Sequence, residues 1–262
     1  MAADQSIRRK GSCIVDEWGG NMPRQDKEEI PARRDTKARL MDAGEQLFSR
    51  HGLEAVTVRQ INRAAGQRNT SSLLYHFGSK EGLVEAIFID RFAGINARRH
   101  AMLDAITHPM DEAGIPALAR AAVLPFFEHM QHQAGGTDFI RLFALLYSDP
   151  KLRISNEIWR EHTSSARRLA SMAMKQMPQM PREAATQRVG LVATSVFHWL
   201  ANWQQMIRGE VRLTEDDYAV LKAPPESFVC NIIDLIVAVV KAPHSGTALH
   251  PFTENTRGSE AV

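Results

Sequence analysis

Little in this chain could staple it, span a bilayer or carry covalent chemistry. Only two of its 262 residues are cysteine, Cys13 and Cys230. The first falls in a polar N-terminal stretch and the second in an apolar helical pattern. No disulfide is therefore expected, and a reducing compartment, the cytoplasm, fits. The longest apolar run near the C-terminus, Leu235 to Val240, is far shorter than a bilayer requires. The first residues lack an apolar core of signal-peptide length, so no membrane association is expected. Strand-like alternation of useful length is missing too, which excludes a sheet-based fold.

Catalytic signatures are equally scarce. The chain has no phosphate-binding loop, no dinucleotide-type glycine pattern, no zinc-protease HExxH and no nucleophile elbow. No Ser/His/Asp set rises above composition. His129 and His132 sit one helical turn apart, the spacing of a metal pair, but no Cys or acid follows at a supporting distance. They read as a partly exposed helix face, and neither a metal nor a cofactor is expected.

What is present is an uneven charge and one dense polar stretch. The whole chain carries +2, yet residues 33–80 hold nine Lys/Arg against four Asp/Glu, a net of +5. Such a segment is either a solvated helix face or the footprint of a phosphate-binding module. Within it, Thr57 followed three residues on by Gln60 makes a capping box. Val58, Ile61 and Ala65 then share one helical face, and Gly66 stops the helix. Asn69 can cap a second short helix over Thr70 to His76, with Leu73 and Phe77 inward. Gly78 and Ser79 end it and cap a third that opens at Lys80. The second helix carries small hydroxyl side chains near its start and Tyr75 and His76 on its flank. These residues suit a major groove and its phosphates. By spacing alone, an ordinary helical hairpin fits as well.

The run AAGQRNTSSLLYHFGSKEGL resembles the DNA-binding signature of the TetR family of bacterial transcriptional regulators, over roughly Thr36 to Ile87. The turn Gln67-Arg68-Asn69 is one residue longer than the commonest family pattern, which shifts the individual base contacts. The resemblance implies double-stranded operator DNA as a partner. The candidate DNA-binding residues are Thr57, Arg59, Arg68, Asn69, Thr70, Ser71, Ser72, Tyr75, His76 and Lys80. Lys80, at a helix N-terminus, suits a phosphate.

The rest of the chain reads as helices. Residues 1–32 form a polar arm, expected to be flexible, whose Arg8, Arg9 and Lys10 could also touch a minor groove. A first helix spans about Thr36 to Arg50, braced by Leu40, Ala43 and Leu47. The helix opening at Lys80 runs to about Met102. After a break at 108–116, helices are expected over Pro116–His132, Thr137–Tyr147, Ile154–Met177, from beyond Pro181 to about Gly209, and over Glu226–Lys241. Residues 243–262 read as a disordered tail. The expected fold is all-α. It comprises an N-terminal three-helix helix-turn-helix domain, 33–80, and a C-terminal helical ligand-binding and dimerisation domain, 81–242.

The last helix is apolar most of the way round, with Phe228, Val229, Ile232, Ile233, Ile236, Val239 and Val240. Either it lies inside the body or a second subunit covers its outer face. The resemblance implies the latter, a homodimer through the last two helices. It also implies a small-molecule pocket among the middle helices. The candidates are Phe126, His129, Phe143, Tyr147, Trp159, Trp199 and Trp203, each of which could equally be core. The resulting expectation is a dimeric repressor on a palindromic operator, released by a small apolar or amphipathic effector. A helical enzyme with an incidental basic domain is the alternative, and a DNA-binding protein without an inducer is a third.

Overall fold

The computed structural model describes residues 36–108, 113–132, 135–148, 154–209, 214 and 224–244. These contain ten helices and no strand: α1 Thr36–His51, α2 Val58–Ala64, α3 Ser72–Phe77, α4 Lys80–Asp104, α5 Gly114–His132, α6 Gly136–Ser148, α7 Asn156–His162, α8 Ser164–Lys175, α9 Arg182–Ile207 and α10 Pro225–Lys241. The expected arm, its basic residues, Cys13 and the tail from 245 onward lie outside the described residues. No helix among the described residues is long and apolar enough to cross a membrane.

The long α4 is the rod on which both ends of the molecule are mounted. Its 25 residues span roughly 37 Å at the usual rise per residue. Leu83, Val84, Ile87 and Phe88 are buried in its first half, and Phe92, Ile95, Arg99 and Leu103 in its second. The first group packs with Leu40, Phe48, Ile61 and Leu73 of α1 to α3. Of the second, Phe92 and Ile95 join Phe126, Phe139, Phe143 and Phe197 of the body, while Leu103 packs with Leu118 and Ala121 of α5 in a second, smaller cluster. One apolar core thus runs from the small N-terminal bundle into the body.

The polar side chains around α4 reinforce this continuity. Arg91 on α4 reaches Asp42 and Glu45 of α1 at 2.6 and 2.9 Å. Ser49 of α1 donates to Asp138 of α6 at 3.0 Å, which ties the N-terminal bundle directly to the body. Glu45 is buried, and its Oε1 has no hydrogen-bond partner among the described residues. Desolvation therefore pushes its carboxyl up to about 7 despite Arg91.

Two helix expectations change. The single helix expected over 154–177 is broken at Thr163, which is buried at φ −112° and ψ 28°. Its hydroxyl donates to the Trp159 carbonyl, and Asn96 of α4 accepts the Ser165 N–H at the start of α8. Competing side-chain bonds to the backbone end one helix and cap the next. The other change is in α3, which begins at Ser72 rather than Thr70. Asn69 caps the approach instead of the helix, its Oδ1 accepting the Ser71 N–H at 2.9 Å.

Candidate nucleic-acid interface and body cavity

The geometry of α2 and α3 is set by local caps and one buried amide. Thr57 accepts from the Gln60 N–H, and the Gln60 side chain accepts from the Thr57 N–H at 2.8 Å, so the capping box forms as expected. Gly66 takes φ +68°, the left-handed conformation that lets the chain leave α2 sharply. Asn62 then fixes the turn. It is buried; its Nδ2 donates to the Thr70 carbonyl at 2.6 Å, and its Oδ1 accepts the Leu73 N–H at 3.1 Å. One of the first backbone donors of α3, the Leu73 N–H, thus has a partner supplied by α2. Sequence reasoning passed over Asn62. Its only signal was a polar residue beside Ile61 on an otherwise inward face.

This arrangement leaves most of the expected DNA-facing set in solvent. Thr57, Arg59, Arg68, Asn69, Thr70, Ser71, Tyr75 and His76 are exposed, and Ser72 is half-buried. Tyr75 is 85% exposed, and its ring meets that of His76 edge-on at 5.1 Å. Leu74, which the sequence reading left unassigned, stands beside it half in solvent. A buried Leu73 under an exposed Leu74-Tyr75-His76 ridge is a helix held from below and presented outward.

Lys80 departs from its expected place. Its ammonium donates to the carbonyls of Leu53 and Val56 at 2.9 and 3.0 Å. It fastens the N-terminus of α4 to the loop between α1 and α2. Gly82 allows the same close packing: a Cβ there would lie 2.1 Å from the Phe77 carbonyl oxygen. Serine takes the expected cap, Ser79 Oγ accepting the Gly82 N–H at 3.0 Å.

The body holds an apolar cavity of about 150 Å³ among α4 to α10. Four of the seven expected ligand residues line it: Phe126, Phe143, Tyr147 and Trp159. His129, Trp199 and Trp203 do not. Trp203 stacks on Phe228 at 5.2 Å, and Trp199 packs on the core. His129 meets the Phe139 ring at 5.2 Å, with its Nε2 buried and unpartnered among the described residues. Burial and nearby Arg91 push the imidazole down to about 4, so it is neutral at ordinary pH. These side chains pack within the body and do not line the cavity. Periodicity cannot separate such packing from pocket lining. Among the described residues no group of three or more His, Cys, Asp or Glu could hold a metal ion, and the His132 side chain is outside them.

The cavity wall also contains an unexpected cation. Arg99 is 2% exposed, with Nε donating to the Ala121 carbonyl at 3.0 Å and Nη1 to Ser165 Oγ at 3.3 Å. Its guanidinium lies 4.7 Å from the Phe126 ring centre. Desolvation pushes its pKa down to about 10, which still leaves it charged at neutral pH.

The N-terminal bundle and the body each match a known sequence family. Residues 40–87 match the description "Bacterial regulatory proteins, tetR family", and residues 120–222 match "Tetracyclin repressor-like, C-terminal domain". The chain belongs to the TetR family. It is a TetR-family transcriptional regulator with a helix-turn-helix DNA-binding module, not an enzyme. It is 30% identical over 117 residues to the HTH-type transcriptional repressor KstR2 of Mycolicibacterium smegmatis. That match takes in 45% of this chain and spans about half, 50%, of the length of that relative. The TetR fold recurs in solved structures. AmtR of Mycobacterium smegmatis has a TM-score of 0.51 at 20% identity, over 85% of this chain and 91% of that one. The ketosteroid transcriptional regulator KstR2 of Mycobacterium tuberculosis has a TM-score of 0.51 at 17% identity, over 79% and 95%.

Proposed function

We propose that this regulator is a homodimeric repressor that binds a palindromic operator and leaves it when a small apolar or amphipathic molecule enters the body cavity. The observation that carries this reading is the shared rod. α4 begins with Lys80 fastened to the DNA-binding bundle and ends with Arg99 and Leu103 in the body. A ligand that moves the second half of α4 therefore moves the reading head. DNA affinity falls if the ligand binds the displaced state better.

In this reading, residues 33–80 form the head and 81–242 the ligand-binding and dimerisation body. Thr70, Ser71, Ser72 and Tyr75 read the major groove, with Leu74 supplying an apolar contact. Thr57, Arg59, Arg68, Asn69 and His76 hold the backbone, and Lys80 sets the orientation of the head. Two heads would meet successive major grooves about 34 Å apart or somewhat more. The outer faces of α9 and α10 support pairing. Leu191 and Leu235 are 68% and 52% exposed on helices whose other faces are buried. Apolar side chains at such positions gain from a second subunit.

The test is binding of the purified protein to DNA flanking its own gene, with a salt titration and a mass measurement in solution. Saturable, salt-sensitive binding of a dimer to one palindrome is the expected result. Monomeric protein with only sequence-indifferent binding to every fragment would overturn the reading. Leu191→Glu combined with Leu235→Glu is expected to give a monomer with weakened operator binding.

A further inference from the structure

We infer that the effector is an organic anion, a carboxylate on an apolar tail of about one ring's bulk, seated with its head group on Arg99. This rests on the proposal that the body cavity binds the effector, and it names the chemistry of that molecule.

Arg99 stands in an unusual place for an arginine. A buried guanidinium ordinarily has a carboxylate beside it, because an unpaired ion is costly to desolvate. Arg99 forms no salt bridge with any described residue, and no described carboxylate lines the cavity. What it does have is two neutral acceptors. The Ala121 carbonyl is free to accept from Nε because Pro125, four residues later in α5, has no N–H to offer it. Ser165 Oγ accepts from Nη1. A guanidinium carries five N–H donors, and Nη2 donates to nothing among the described residues. One end of the fork is fixed by the fold, and the other remains available at an apolar cavity.

A carboxylate is the ligand group that matches this fork, accepting parallel N–H bonds and supplying the missing charge. The rest of the wall says what the head group is attached to. Phe126, Phe143, Trp159 and Val196 are apolar. An apolar cavity of about 150 Å³ takes one benzene-sized ring. The second cation at the wall, Arg188, is already occupied. It donates to the carbonyls of Val239 and Ala242 at the end of α10.

The position of Arg99 also supplies the coupling. It joins α4 to α5 through Ala121 and to α8 through Ser165. An anion on the free end of the same guanidinium would pull on the helix that carries the head.

The experiment is calorimetric titration of the full chain at neutral pH with 3-phenylpropanoate and, in parallel, the neutral 3-phenylpropan-1-ol. The acid is expected to bind at least about tenfold more tightly than the alcohol, and to release operator DNA. Arg99→Met should bring the two to within about twofold of each other, Arg99→Lys should keep part of the preference, and Arg188→Met should leave it unchanged. Melting of each variant shows whether it is folded, and the wild-type comparison of acid with alcohol stands without any variant. Equal binding of both probes overturns the anion assignment and leaves the cavity as an apolar effector site. A preference that survives Arg99→Met in folded protein, or follows Arg188, overturns the assignment to Arg99. No binding of either probe at millimolar concentration overturns the inference. A screen of larger neutral apolar compounds for operator release then decides separately whether the ligand-responsive reading survives.

Discussion

Arg99 repairs the break that Pro125 makes in α5: its Nε donates at 3.0 Å to the Ala121 carbonyl that a residue with an N–H at 125 would otherwise engage. Removing the guanidinium leaves a buried carbonyl without a donor, at about 1–3 kcal/mol. Arg99→Met is thus expected to lower stability by that amount in the wild-type background. In a Pro125→Ala background the new N–H can take the carbonyl, and the same substitution should be milder by about 1 kcal/mol. Urea denaturation of the four proteins measures the coupling, and strict additivity would show that the two residues are not linked.

Asn62 makes a comparable repair in the DNA-binding bundle, with one carboxamide serving both the Thr70 carbonyl and the Leu73 N–H. Asn62→Ala should destabilise the protein by about 1–3 kcal/mol and weaken operator binding although Asn62 is buried. Asn62→Asp keeps the acceptor and loses the donor, so it should leave α3 capped but the turn looser. Thermal melting and fluorescence anisotropy with labelled DNA separate the two effects. Unchanged melting in Asn62→Ala would remove Asn62 from this role.

Tyr75 and Lys80 should behave in opposite ways. Tyr75 makes little contact with the rest of the chain, so Tyr75→Ala should change stability by less than about 0.5 kcal/mol. It should still reduce the preference for operator over random DNA by about 1–3 kcal/mol. Lys80→Met instead removes the donor to Leu53 and Val56, and should cost about 1–2 kcal/mol of stability. The salt slope of DNA binding should fall by about one ion for Arg59→Ala and stay unchanged for Lys80→Met. A slope that drops for Lys80→Met would return that ammonium to a phosphate.

Glu45 gives the fold a pH signature. Its carboxyl is raised from 4.5 to about 7 by burial, so the folded protein holds the proton more firmly than the unfolded chain. The stability it contributes is complete below about pH 4.5 and is lost as pH rises through about 7, a fall of roughly 3 kcal/mol at most. His129 acts in the other direction: its depressed pKa, about 4 against 6.5, removes stability as pH falls below 6.5. Glu45→Gln should flatten the decline between about pH 5 and pH 7.5 while leaving Arg91 its partners Asp42 and Asp90. Denaturation midpoints across that range are the measurement. An identical decline in wild type and Glu45→Gln would assign it to other groups.

The elements readable from sequence were those with local causes. The capping box at Thr57 and Gln60, the stop at Gly66 and the start of α4 at Lys80 all depend on residues within a turn or two of each other. So does the exposure of Tyr75 and His76, which follows once Leu73 faces inward. Four of the cavity residues, Phe126, Phe143, Tyr147 and Trp159, were found by composition, but the same criterion selected His129, Trp199 and Trp203. Lys80 was placed at the start of its helix, but its bonds to the Leu53 and Val56 carbonyls could not be read from sequence.

The sequence by itself determined nine helical stretches, with boundaries near those observed among the described residues, and a basic helix-turn-helix at one end. These follow from periodicity, caps and breakers, which act over a few residues. Tertiary structure alone decided the break at Thr163, the clamp of Asn62 on α3, the hold of Lys80 on Leu53 and Val56, and the burial of Arg99 beside an apolar cavity. Each depends on a bond or contact whose partner is brought close by packing, between groups eight to 69 residues apart along the chain. A donor shows in the sequence, but which acceptor it meets is settled only when the helices close around it.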